Sequence, residues 1–354
     1  RLSSTITLAR FLFDTYLIHT GQNYDYHLND IFFNELEIAK PDHYLDCIKD
    51  NCGKTVGDII GKTYDLFKEL QPDAVLILGD TNSCLCSYSA KRLKIPIFHL
   101  EAGNRSFDPN VPEEINRKII DHIADINMCY MEQARSNLLR ENIKSQYTFV
   151  IGSPMPEVYA SLKDKIALST VLHQYELVPD EYFVWSSHRE DNVDNETNLI
   201  AMIDSINKLA NKYDKKIVFG AHPRTKKMID KHQLKLHNNI LITEPFGIID
   251  YYSLLRNAKC VITDSGTISE EANILKIRCI LLRISTEHPE VIDAGSIIIG
   301  NIHWEYLEQS IHMCLKLPNT HNAVINYMDT NFSEKVCKII SGYTSIVNKF
   351  LWMK

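Results

Sequence analysis

With 354 residues, 45% of them apolar and 23% charged, the chain is long enough for two domains that each bury a core. A formal net charge of -7, with no block of basic residues, argues against nucleic acid as a main partner. No apolar run reaches membrane-spanning length, no signal-peptide pattern is present, and the nine cysteines lack Cys/His ligand spacing, so no membrane partner and no metal are expected, and the thiols suit a reducing, cytoplasmic setting.

The chain opens at Arg1 directly in a helical pattern (Leu2, Ile6, Ala9, Phe13), which predicts a first strand upstream of Arg1, outside this sequence. Thr15–Thr20 reads as a strand and Gly21–Tyr26 as a polar aromatic loop, followed by a helix over Thr55–Leu70. Ala74–Asp80 and Ile95–Glu101 are continuous apolar runs, the pattern of strands covered on both faces of a parallel sheet, with Ser83–Leu93 as the crossover helix. Pro112 starts a helix to Ala124 that carries Ile115, Ile119 and Ile123 at spacing four. Phe149–Ile151 is a strand running into Gly152-Ser153-Pro154-Met155-Pro156, the clearest domain boundary. Beyond it, strands are expected at Tyr182–Ser186, Lys216–Gly220, Ile240–Thr243, Cys260–Thr263, Cys279–Arg283 and Ser296–Ile299, with helices between. This alternation predicts an α/β protein of two doubly wound, Rossmann-like domains facing a central cleft, over 1–155 and 156–332, with a last helix over 333–354 returning to the first domain.

Ligands of open α/β sheets sit beyond the carboxyl ends of strands. Asp80 and Glu101 each close an apolar strand, and one crossover helix joins the two strands, so their carboxylates are expected to open on one crevice. The loop after Glu101 feeds the Pro112 helix, which brings Glu113 and Arg117, four residues apart, towards the same place, whereas Glu114 and Lys118 read as an ordinary surface ion pair. In the second half His188-Arg189 and His222-Pro223-Arg224 follow strands and are candidate anion contacts. Ile262-Thr263-Asp264-Ser265-Gly266-Thr267 is a strand that turns into a helix, aiming free N–H groups and a helix dipole at one point, a site suited to phosphate. The competing reading is a plain N-cap by the Ser265 or Thr267 hydroxyl.

Five segments then resemble one family in order and context: Gly79-Asp80-Thr81, His99-Leu100-Glu101-Ala102-Gly103-Asn104-Arg105, Pro112-Glu113-Glu114-Ile115-Asn116-Arg117, Ser187-His188-Arg189-Glu190, and Thr263-Asp264-Ser265-Gly266 through Glu270-Glu271. They are similar to the non-hydrolysing UDP-N-acetylglucosamine 2-epimerases. Gly21–Tyr26 and Asn104 resemble more a branch that acts in UDP-N-acetyl-L-fucosamine synthesis. The resemblance implies the GT-B fold, a UDP-sugar substrate, a homodimer and no cofactor. It implies Asp80, Glu101, Glu113 and His188 as catalytic residues, and Arg1, Arg117, His222, Tyr251, Ser265, Gly266, Thr267 and Glu271 as substrate contacts, with Glu271 at the ribose. Departures are Thr267 for a second glycine, His288 for an arginine and Phe246 for a glutamine. A hydrolysing epimerase, a GT-B glycosyltransferase and a non-catalytic nucleotide-sugar sensor are the other readings; three acids facing one sugar carbon suit the last two poorly.

Overall fold

The computed structural model describes residues 1–21, 30–47, 50–187, 189–221, 223–283 and 285–354. Most of the expected loop Gly21–Tyr26, and both His188 and His222, lie outside the described residues. The chain forms two compact units, one of Arg1–Asn29, Leu36–Val158 and Ile325–Lys354, the other of Asp30–Glu35 and Tyr159–Val324.

In the first unit β1 (Ile18–His19) and β2 (His43–Tyr44) form a short parallel pair. The expected strand over Thr15–Thr20 is thus confined to two residues. The main sheet is β3 (Val75–Leu78), β4 (Ile97–Leu100), β5 (Ile126–Cys129) and β6 (Thr148–Val150), all parallel and in that order. β4 and β5 are buried along their whole length, which explains their uninterrupted apolar character. The crossover from β3 to β4 begins as a 3₁₀ turn, Asn82–Leu85, before the helix Cys86–Arg92. Helix Cys52–Leu70 starts at Asn51, whose side chain accepts from the Lys54 N–H, and ends at Gln71 in the left-handed conformation. Phe67, Ile77, Ala90, Ile95, Ile97 and Ile120 make the local core. The terminal helix Phe332–Phe350 packs on the first helix, Ser3–Leu12. Its Ser333 hydroxyl contacts the Thr5 hydroxyl at 3.0 Å and donates to the Glu157 carboxylate at 2.5 Å.

Helix Pro112–Ile123 buries only the end of its isoleucine stripe, Ile123, which packs partly buried against the core. Ile115 and Ile119 are 60% and 38% exposed, while Glu114, Arg117, Ile120 and Asp121 face inward.

The second unit holds one six-stranded parallel sheet in the order β12-β11-β10-β7-β8-β9, where β7 is Tyr182–Ser186, β8 Lys216–Gly220, β9 Ile240–Thr243, β10 Cys260–Thr263, β11 Cys279–Leu281 and β12 Ile297–Ile299. Phe183, Trp185, Phe219, Ile262, Ile280 and Leu199 are among the fully buried side chains of its core, each worth about 1.5–3 kcal/mol in removed apolar surface. The chain runs outward from β7 through β8 to β9, then crosses back to lay β10 on the other side of β7. The sheet therefore reverses its winding between β7 and β10, and a doubly wound sheet opens a crevice at such a point.

Candidate active site

The acids of the first unit are placed by strand register. Leu78 of β3 pairs with Leu100 of β4, so Gly79-Asp80 and Glu101 leave the same edge of the sheet side by side. Gly79 has φ +71°, and its N–H donates to the Leu100 carbonyl at 3.1 Å. Glu101 also adopts the left-handed conformation, φ +65°, which costs a non-glycine residue energy and is found where surrounding contacts enforce it. Arg1 Nη1 donates to Glu101 Oε2 at 2.5 Å. Arg117 Nε donates to Asp80 Oδ2 at 2.5 Å, and Asn116 Nδ2 to the Asp80 carbonyl at 2.9 Å. Burial pushes the Asp80 carboxyl above its usual range; the Arg117 charge opposes this, and the charges of Glu101 and Glu113 add to it. Three carboxylates and two guanidiniums thus share one electrostatic neighbourhood.

Glu114 corrects the expectation of a surface pair. Its side chain is buried, Oε2 accepts from Arg117 Nη1 at 3.1 Å and from the Ser106 N–H at 3.1 Å and hydroxyl at 3.0 Å, and Lys118 Nζ comes only to 4.0 Å of Oε1. Burial works against the Glu114 charge, but the two Ser106 hydrogen bonds and Arg117 more than offset it, leaving the carboxyl below its ordinary value. An ionised Glu114 therefore holds Arg117 towards Asp80.

In the second unit the switch point carries the Asp264–Thr267 turn. Asp264 is fully buried, and its Oδ2 accepts from the Arg189 N–H at 3.1 Å and from Asn192 Nδ2 at 3.0 Å, which ties the segment after β7 to the turn after β10. The Ser265 and Thr267 hydroxyls contact each other at 3.1 Å, and Thr267, the N-cap of helix Ile268–Leu275, makes no side-chain cap bond. The capping reading is therefore not realised. Gly266 lies close under the Glu287–Arg283 pair: a Cβ would lie 2.8 Å from Glu287 Oε1 and 3.2 Å from Arg283 Nη2, so a side chain there would displace those two charged ends. Arg283 donates to the Asp264 carbonyl at 2.9 Å and to Glu287 Oε2 at 2.8 Å. Burial and the nearby charge of Arg189 lower its pKa, against the Glu287 charge, which raises it. Beside it, Tyr252 donates to Glu271 Oε1 at 3.3 Å, and burial together with the Glu271 charge drives the Tyr251 and Tyr252 phenols far above their usual range.

The structure thus brings together Asp80, Glu101, Glu113, Arg1 and Arg117 in one unit, and Ser265, Gly266, Thr267, Tyr251 and Glu271 in the other. Sequence reasoning passed over Glu114 and Arg283; the arginine at the end of an expected strand was the one available signal. His288, the expected arginine position, is buried, with Nδ1 3.0 Å from Glu290 Oε1. Among the described residues no three His, Cys, Asp or Glu side chains are placed to hold a metal ion.

Two Rossmann-like units, one with paired acids at neighbouring strand ends and one with a guanidinium-lined turn at its switch point, mark an enzyme of GT-B fold and nucleotide-sugar chemistry. The family model for UDP-N-acetylglucosamine 2-epimerase matches residues 8–341. The UDP-N-acetylglucosamine 2-epimerase of Methanocaldococcus jannaschii is 38% identical over 312 residues, 85% of each chain. The structure of UDP-N-acetylglucosamine 2-epimerase from Rickettsia bellii superposes with a TM-score of 0.92 at 39% identity, covering 100% of this chain and 95% of that one. The M. jannaschii enzyme in complex with UDP-GlcNAc and UDP gives 0.90 at 34% identity, covering 96% and 95%. The chain belongs to the UDP-N-acetylglucosamine 2-epimerase family, whose members are isomerases.

Proposed function

We propose that the protein interconverts UDP-N-acetylglucosamine and UDP-N-acetylmannosamine without net hydrolysis, by elimination of UDP to a 2-acetamidoglycal and re-addition. The observation that carries this reading is the partly buried, Arg117-bound Asp80 with Glu101 and Glu113 beside it. The C2–H of the sugar is not next to a carbonyl and is weakly acidic. Departure of UDP from C1 builds oxocarbenium character there and makes that proton removable, so the reaction needs a base on one face of C2, a proton donor on the other, and donors for the leaving diphosphate. Burial and Glu101 bias Asp80 towards its neutral form, which suits proton delivery, and Glu101, held against Arg1, suits proton removal; Glu113 completes the acid set.

The Ser265-Gly266-Thr267 turn and Arg283 suit the diphosphate, and we assign His188 and His222 to it as well, with Tyr251 and Glu271 at the nucleoside. One hydrogen leaves C2 and one returns, so the conversion is redox-neutral. We also assign a homodimer and a cytoplasmic location. Exposed Tyr88 on helix Cys86–Arg92 and Ile115 and Ile119 on the adjoining helix support the first; the cysteines, most of them buried, support the second, which cell fractionation would test.

The test is proton NMR in deuterium oxide with UDP-N-acetylglucosamine. Deuterium at C2 together with UDP-N-acetylmannosamine is expected, and Asp80→Asn should slow its appearance by about 10²–10⁴-fold. Free N-acetylmannosamine as the main product would make the enzyme a hydrolase. Absence of exchange, with exchange seen instead for a UDP-N-acetyl-L-fucosamine-pathway sugar, would move the substrate to that branch.

A further inference from the structure

Behind the carboxylates lies a buried polar group that the proposed chemistry does not use. His99 sits within β4, 1% exposed, in register with Ile77 of β3 and Asn127 of β5. Its Nε2 lies 3.2 Å from the Gly79 carbonyl and its Nδ1 2.9 Å from Asp121 Oδ1. The two ring nitrogens lie close to oxygens of two different segments, so the ring spans the turn before Asp80 and the helix that carries Asp121. Asp121, also 1% exposed, takes Arg105 Nη1 on its second oxygen at 2.7 Å, and both its oxygens lie 3.3 Å from the Gly103 N–H. Arg105 is in turn held by the Glu141 carboxylate through Nε at 2.8 Å and Nη2 at 2.7 Å.

These contacts meet the three acid-bearing segments one at a time. Gly79 directly precedes Asp80. Gly103 stands two residues after Glu101, in a loop where a Cβ on Gly103 would lie 2.2 Å from the Ala134 carbonyl oxygen. Asp121 is one turn beyond Arg117 on the helix that carries Glu113 and Glu114. An apolar strand residue at position 99 would satisfy the sheet without linking any of them.

We infer that His99 and Asp121 are a positioning pair, which fixes the Asp80 turn, the Glu101 loop and the Glu113 helix in one mutual geometry. The inference rests on the proposed proton transfer by those acids. His99 and Asp121 touch no substrate; they act through the backbone that carries the acids, where a misplacement of about 1 Å can cost on the order of 100-fold in rate.

The test uses the full chain with Asp121→Asn, His99→Gln and His99→Leu. In the wild type, nitrogen NMR of the ring should show hydrogen on Nδ1, the nitrogen that faces Asp121, and Asp121→Asn should change that signature. Turnover of the variants should fall roughly 10- to 100-fold in kcat with KM and UDP affinity nearly unchanged, and His99→Gln, which keeps a donor, should retain more activity than His99→Leu. A folded Asp121→Asn with wild-type kcat would overturn the inference, as would a fall in kcat that follows only the folded fraction. If a variant fails to fold, the wild-type ring signature decides: a ring without hydrogen on Nδ1 refutes the tie to Asp121. A wild type without C2 exchange refutes the proposed function instead, and the ring signature still tests the pair.

Discussion

His288 offers a titration whose size can be worked from its surroundings. Burial alone would lower its pKa, but the hydrogen bond to Glu290 and the charges of Glu290, Glu270 and Glu287 outweigh burial and raise it from 6.5 to about 9. Between those two values the folded chain keeps a proton that the unfolded chain has released, so stability falls as pH rises. The contribution is fully present below about 6.5 and is lost on passing through about 9. A separation of about 2.5 pH units corresponds to about 3 kcal/mol at roughly 1.36 kcal/mol per unit. The assay is urea unfolding of the second unit followed by tryptophan fluorescence, since Trp185 is fully buried in its core, at pH values on either side of this window. Wild type should lose about 3 kcal/mol relative to His288→Gln across the window, because subtracting the variant removes the titrations of groups that do not interact with His288. His288→Arg, the charge that the family resemblance expects at this position, should not titrate and should run parallel to His288→Gln. Equal pH slopes for wild type and His288→Gln would refute the reasoning.

Glu114→Gln removes the charge that holds Arg117, and should cost about 1.5–3 kcal/mol by denaturant unfolding at neutral pH. Because the folded Glu114 carboxyl lies below its ordinary value, that difference should be present above about 4.5 and shrink as pH falls through the folded value; a difference that persists at low pH would rule out the ion pair. Ile115→Lys combined with Ile119→Lys should shift sedimentation of the protein from dimer to monomer with its fold intact; an unchanged dimer would place the interface elsewhere.

Much of the scaffold was legible because parallel strands buried on both faces announce themselves as apolar runs: β7 to β10 fall on the residues expected for them. The strand-end acids were legible for the same reason, since an acid that closes such a run must emerge at the sheet edge. β5 was not, because Asn127 interrupts its run; that asparagine is buried and donates to the Asp121 carbonyl at 2.9 Å, a partner no local pattern reveals. His99 was hidden in the opposite way, as one polar residue inside an apolar strand.

The helix Pro112–Ile123 shows why the remainder of the site resisted reading. An amphipathic helix normally turns its apolar stripe inward, and Ile115, Ile119 and Ile123 form such a stripe. The helix instead buries Glu114, Arg117 and Asp121, because partners distant in sequence satisfy them: Asp80 binds Arg117, and His99 and Arg105 bind Asp121. Burying that many charges in place of isoleucines gives no stability advantage by itself, since ion pairs in the interior do little better than a packed apolar face. The arrangement is intelligible if the inward face serves the acids and the outward isoleucines are covered by a second copy of the chain. On that account the same helix serves both the proposed chemistry and the proposed assembly, with Ile115 and Ile119 marking the second while Ile120 and Ile123 stay with the core.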